Sequence, residues 1–247
     1  MKRIIIIGSS FKEGRRIALD FGFDQNAYEN FSKKMTALFE LENKNISAAT
    51  HTLETKTTNW DEVINLDPYF NNLEVLKDEN EFINLLLNDD VLTSIDVANY
   101  ILVKNKMTQT RLQKILYFIY ADYLLKFNKK IFDDKISAFQ YGPIINRIYD
   151  KYKNNNDSEN DKLLSIDEKY KDALTARLLV GKEGLQKLNF INDELVKYQN
   201  LSTEELVALT HKDDTPWSKN YQPDQKFSQI SDDDIIKYHK NEDMDLL

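Results

Sequence analysis

Chemistry in this chain of 247 residues would first be sought near its N-terminal end, where "IIIIGSSFKEGRR" looks like a strand feeding a phosphate loop. A phosphate loop places four residues between its glycines and a Lys-Ser/Thr pair after the second. Backbone N–H groups then cradle the phosphates while the lysine and hydroxyl hold phosphate and magnesium. Here five residues separate Gly8 from Gly14, and Arg15-Arg16 follow. The dinucleotide fingerprint fails as well, because Ser10 stands two residues after Gly8. The stretch reads as the buried edge of a small fold in preference to a diverged phosphate site made from Gly8, Ser9 and Arg15.

Elsewhere the reactive residue types are sparse. The chain has no cysteine, which excludes a disulfide framework, a thiol nucleophile and a thiolate-ligated metal. Its three histidines are His51, His211 and His239. Nothing in the spacing pairs any of them with a nucleophile, and no H-x-x-x-H or histidine-carboxylate cluster has a metal-ligand spacing. "HKDDTPW" brings His211 near Asp213 and Asp214, but it reads better as a loop after a helix, with Trp217 anchoring it in the core. The expectation is a protein that is not an enzyme, with no cofactor and no metal.

The elements that would carry these residues fall into two groups. "KRIIII", continuously apolar and closed by Gly8, predicts a buried strand, and "FKEGRRIALDFG" a short helix after it. Asn43 to Asn59, rich in Thr, Asn and Ser, predicts a long loop. "NLEVL" predicts a second strand, and "DENEFINLLLND" a helix with Phe82, Leu85 and Leu86 on one face. From about Val91 the pattern turns helical. Leu112, Ile115, Leu116, Ile119 and Tyr123 form an apolar stripe, and Thr108 is placed to cap it. "IFDDKISAF" reads as extended or as a short hairpin. Pro143 stands where a first-turn proline would start a helix carrying Ile145, Ile148, Tyr149 and Tyr152. "KNNNDSEND" reads as a polar loop, and Ser165/Glu168 and Ser202/Glu205 each match a capping box. The fold class expected is mainly α, α+β overall.

Charge is unevenly spread over a net of −8. The last seventeen residues, from Ser231, hold six acids against two lysines and read as an acidic tail. Between Lys104 and Lys130, the cations Lys104, Lys106, Arg111, Lys114, Lys126, Lys129 and Lys130 face Asp122 alone. Such a cluster suits nucleic acid or an acidic partner. Against nucleic acid stand the acidic balance of the whole and the aromatics Tyr117, Phe118, Tyr120 and Tyr123, which circle the same helix and must partly face a core. A solvated helix face is the preferred reading.

Three segments in order, "RLQKILYFIYADYLL", "AFQYGPIINRIYDKY" and "LSTEELVALTHKDDTPW", resemble the Panacea, or SocA-like antitoxin, domain family. The family shows a Leu-Gln-Lys-Leu-Leu-Tyr helix, an aromatic-x-Tyr-Gly-Pro-Val/Ile turn and a late Thr-His followed by Pro-Trp. These fall on Leu112, Gln113, Lys114, Leu116 and Tyr117, on Phe139, Tyr141, Gly142 and Pro143, and on Thr210, His211, Pro216 and Trp217. Ile115 stands where leucine is common, and Phe139 where tryptophan is. The resemblance spans roughly Leu92 to Tyr221.

The resemblance implies a helical antitoxin domain over residues 91–221, with the motif residues mainly structural and toxin contact a further role for them. Residues 1–90 would be a small N-terminal α/β unit lending specificity, and residues 222–247 an acidic tail. Family members are encoded beside diverse toxins and neutralise them by direct contact, and one branch hands its toxin to a processive protease. The partner implied is a cognate protein toxin from an adjacent gene. A DNA-binding autoregulator or phage-type regulator, and a nucleotide-dependent enzyme built on the N-terminal unit, are the competing readings. "MKRIIIIGSS" is too short for a signal peptide, and no run of about 18 apolar residues occurs, so no membrane is expected and the cytoplasm is the expected location.

Overall fold

The computed structural model describes residues 1–42, 48–153, 162–225 and 227–242. The chain divides into two compact units, one of Met1–Val91 with Val180–Lys182 and the other of Leu92–Leu179 with Glu183–Leu247.

The first unit is built on strand β1 (Lys2–Ser10), which pairs antiparallel with β2 (Arg15–Asp20) and β3 (Ala48–Glu54); β4 (Leu73–Leu76) adds parallel to β2. The sheet order is β3-β1-β2-β4. Ile4 to Ile7 are all buried. Successive strand side chains point to opposite faces, so both faces of the sheet need cover. Ile6 joins Phe31 and Phe82, from helices α1 (Gln25–Glu42) and α3 (Glu79–Leu87). Ile5 and Ile7 join Phe70 and Val63, the latter from α2 (Trp60–Leu66).

Two sequence expectations are corrected here. "FKEGRRIALDFG" forms a hairpin turn and strand β2, not a helix, with Gly14 at φ +67 in the turn. A helix would have left one edge of a buried, fully apolar β1 without hydrogen-bond partners. Residues 48–54, expected in a loop, form β3 on the other edge of β1, while 43–47 lie outside the described residues. Gly8 lets α3 pack closely: a Cβ there would lie 2.7 Å from Leu86 Cδ2, which would have to shift. Arg15 pairs with Glu13 and Glu74.

The second unit contains helices α4 (Ser94–Lys104), α5 (Gln109–Phe127), α6 (Asn146–Tyr152), α7 (Lys171–Val180), α8 (Gly184–Tyr198), α9 (Thr203–Thr210), α10 (Pro216–Asn220) and α11 (Asp232–Tyr238). Its small antiparallel sheet, order β6-β5-β7, consists of β5 (Ile136–Phe139), β6 (Gly142–Ile145) and β7 (Ser228–Ile230). Helix α5 is central, because an apolar surface on every side can only be satisfied by burial. Every residue from Leu112 to Ala121, with Tyr123 and Leu124, is buried. Thr108 caps it, accepting from the Arg111 N–H, and Ser202 and Glu205 form the expected capping box. The architecture is mainly α, with two small sheets.

Three further expectations give way in this unit. Pro143 does not start a helix. It lies in β6 opposite Ala138, and α6 begins three residues later. Strand β6 is at the sheet edge, where a proline's missing N–H costs least. Pro216 does stand in a first helical turn, at the start of α10 behind the cap Thr215. Ser165 caps nothing, because Asp167 accepts from the Lys169 N–H and starts a short 3-10 turn before α7. The acidic segment is folded for most of its length: Ile230 of β7 and Ile235 of α11 are buried in the main core. Its run Asp232–Asp234 occupies the first turn of α11, where carboxylates complement the helix dipole, and Ser231 and Asp234 form a capping box. "KNNNDSEND", from residue 154 on, and residues 243–247 lie outside the described residues.

Candidate functional site

The three motifs, scattered over the second unit's sequence, meet at the β5–β6 hairpin. Gln113, buried on α5, accepts the Ile145 N–H at 2.8 Å and donates to the Ile145 carbonyl at 3.4 Å, acting as a side-chain substitute for a strand partner along β6. One residue on, Lys114 donates from Nζ to the Pro143 carbonyl at 3.0 Å. Gly142 turns the hairpin at φ +96, a conformation that L side chains rarely adopt. A Cβ at this position would run into Lys114 Nζ and lie 2.7 Å from Thr210 Oγ1. From α10, Trp217 Nε1 donates to the Phe139 carbonyl at 2.7 Å. Its ring lies between His211, at 3.9 Å, and Tyr221, at 4.7 Å.

Most motif side chains therefore turn inward. Leu112, Gln113, Lys114, Leu116, Tyr117 and Thr210 are buried. Phe139 is half-buried, its ring stacked on Phe227 and tilted against Tyr149. Trp217 is also half-buried, packed against the core but not wholly within it. His211 closes α9, with Nδ1 at 2.8 Å from the Val207 carbonyl; the structure pairs it with Trp217 and not with Asp213 or Asp214. The exception is Tyr141, which is 63% exposed at the tip of the hairpin.

A second polar cluster was not foreseen from sequence. His239, buried just after α11, faces a carboxylate with each ring nitrogen: Asp122 with Nε2, at 2.9 Å, and Glu242 with Nδ1. With both carboxylates ionised, the two contacts are satisfied at once only by the doubly protonated imidazolium. Burial pushes His239 down, but the hydrogen bonds and charges of Asp122 and Glu242 prevail and lift it to about 9. Burial pushes Asp122 up, and its bonds to His239, with those of Glu194 and Lys197, overcome this and hold it well below the usual carboxylate range. Glu242 is pushed up by burial despite its partners. Tyr117 donates to Glu242 at 2.9 Å, Tyr198 to Asp122 at 2.6 Å, and Tyr120 to Asp232 at 2.7 Å. A cavity of about 190 Å³ opens beside Asp122, Lys197, His239 and Glu242. The one hint in the sequence was Asp122 set among the tyrosines of a largely apolar stretch of α5.

Lys114 lies in the same interior. Burial draws its ammonium down to about 7, with the charge of Glu242 opposing. Of the seven cations expected to form one patch, it is thus not on the surface at all. Lys126 lies over the Phe127 and Phe190 rings, Lys129 pairs with Glu183, and Lys130 with Asp232 and Asp133. Lys104, Lys106 and Arg111 share a separate groove. The seven do not converge on one face because the helix that carries several of them is buried all round. Among the described residues, no group of three or more His, Asp or Glu could hold a metal ion, and no helix is long and apolar enough to cross a membrane.

What this geometry defines is an α-helical module organised around a hairpin that Gln113, Lys114 and Trp217 hold in place. Residues 112–218 match the family model described as antitoxin SocA-like, Panacea domain, and the match takes in all three motifs. At the level of the family this supports a role related to toxin–antitoxin systems. No curated protein and no solved structure matches the chain.

Proposed function

We propose that this protein is an antitoxin that neutralises a cognate protein toxin by direct stoichiometric binding. The observation that carries the reading is the family match over residues 112–218. The hairpin supplies a physical reason to expect binding at this end of the module. Gln113, Lys114 and Trp217 hold its backbone by hydrogen bonds yet the Tyr141 ring is left exposed. Rigid aromatics of this kind are the usual anchors of protein interfaces. A durable complex needs about 1,200 Å² or more of buried surface, so Tyr141 would be one anchor within a larger contact. The first unit, outside the family match, is assigned to toxin specificity, and the site of action to the cytoplasm.

The test is co-expression with the product of the adjacent gene. Rescue of growth, with a complex of fixed stoichiometry on size-exclusion chromatography, is the expected result. Rescue that disappears in cells lacking their processive proteases would move the protein to the adaptor branch. Tyr141→Ala should weaken rescue at unchanged melting temperature. An adjacent product that is harmless alone, or that never associates with this chain, would overturn the proposal.

A further inference from the structure

The groove holding Lys104, Lys106 and Arg111 has a composition that asks for a particular occupant. It lies between the end of α4, the loop Asn105–Met107, the first turns of α5 and one side of α8, and encloses about 470 Å³. That is room for a few side chains of a docked segment. Among the described residues its charged lining is wholly cationic, in a chain whose net charge is −8. Lys104 and Lys106 are exposed, and among the described residues no carboxylate lies within ion-pairing distance of either. Lys104 is steadied by the Asn192 side chain at 2.8 Å and by the Tyr100 ring, neither of which cancels its charge. Arg111 is fixed by the carbonyls of Tyr198, Gln199 and Leu201 at the end of α8, again without a carboxylate. The contrast is with Lys129 and Lys130 at the far end of α5, whose charges are already paired.

The walls between these cations are apolar. Met107 and Ile115 are buried there, Leu195 packs on the core, and Val196 is 62% exposed. An unpaired cationic rim over an aliphatic wall complements a peptide segment that carries carboxylates around an aliphatic side chain. Single-stranded nucleic acid fits less well. Sequence-tolerant binding of bases relies on aromatic platforms, and among the described residues no aromatic lines the groove.

We propose that this groove docks a short acidic segment of a partner protein, with one aliphatic side chain of that segment seated against Val196 and Leu195 and its carboxylates on Lys104, Lys106 and Arg111. The assignment does not require the partner to be a toxin.

The experiment is fluorescence anisotropy on the full chain. The probe is a fluorescein-labelled peptide of about a dozen residues, with glutamates spaced around a central leucine pair. Saturable binding is expected, weakening about tenfold or more between roughly 50 and 300 mM salt, as screening of exposed charges demands. The Lys104→Glu/Lys106→Glu double variant should lose it, and Val196→Asp should lower affinity about tenfold. Lys33→Glu, an exposed cation of the first unit, should change nothing. Should the Lys104 substitution disturb the fold, Lys106→Glu alone, in the exposed loop, is read against an unchanged melting temperature. Replacing the peptide's glutamates by glutamine should abolish binding, and replacing its leucines by glycine should weaken it. No saturable binding, or binding indifferent to Lys106→Glu and Val196→Asp, overturns the proposal. Tighter binding of a single-stranded oligonucleotide of similar length would overturn it in favour of a nucleic-acid groove.

Discussion

Gly142 leaves empty the space into which Lys114 extends its ammonium: a methyl group at position 142 would collide with Lys114 Nζ and crowd Thr210 Oγ1. Motif residues far apart in the chain are thus one steric unit, with the glycine set by the lysine as much as by the φ of +96.

Gly142→Ala is accordingly expected to destabilise the second unit by about 2–4 kcal/mol, combining a strained backbone with overpacking. Thermal or urea unfolding checks it. A cost below about 1 kcal/mol would mean that the hairpin can turn without this glycine.

Lys114 and His239 give opposite pH dependences. The folded-state value of Lys114, about 7, lies below that of a free lysine, near 10.4, so above about pH 7 the folded protein favours the neutral amine. Its contribution to stability therefore rises as pH climbs from about 7 toward 10. His239, raised to about 9, contributes stability that is fully present below about pH 6.5 and lost as pH rises through 9. Between about pH 7 and 9 the two slopes oppose each other. Lys114→Met should leave stability falling with pH across that window, and His239→Gln should leave it rising. Urea midpoints at three or four pH values decide the matter; parallel curves for both variants and the parent would refute this account of the interior.

Trp217 is half-buried, so Trp217→Ala is expected to cost about 2–4 kcal/mol, at or below the range for a fully buried ring. Trp217→Phe keeps an aromatic between His211 and Tyr221 but loses the bond to Phe139, worth about 1 kcal/mol. If Trp217→Ala abolishes toxin neutralisation while its melting temperature stays put, the ring belongs to the interface and not to the framework.

In the first unit, the Arg3 side chain is fully buried, paired with Asp20 through Nε and Nη2, and donates to the carbonyls of Thr58 and Asn59. Arg3→Met strands Asp20 and both carbonyls, and is expected to cost about 3–5 kcal/mol. Native-state hydrogen exchange of β1 and β3 amides would report it, and unchanged protection there would contradict the assigned role.

Several elements were legible because neighbours in sequence decide them. The apolar run of β1, the spacing of Phe82, Leu85 and Leu86 on α3, the cap of Thr108 on α5 and the box of Ser202 with Glu205 all rest on contacts within a few residues. The three motifs were equally visible, and with them the resemblance that the family match over residues 112–218 bears out. What the sequence could not reveal was partnership across the chain. Whether "GRRIALD" coils or pairs depends on a strand that has already buried both faces. Whether Gly142-Pro143 opens a helix or turns a hairpin depends on Gln113, about thirty residues earlier, satisfying the edge of β6. The acidic C-terminal segment looked free because its partners Tyr117, Tyr120 and Asp122 stand more than a hundred residues upstream. The basic cluster came apart for the same reason. A local pattern shows what charge a helix carries, but only the packing around that helix decides which cations reach water and which, like Lys114, are buried.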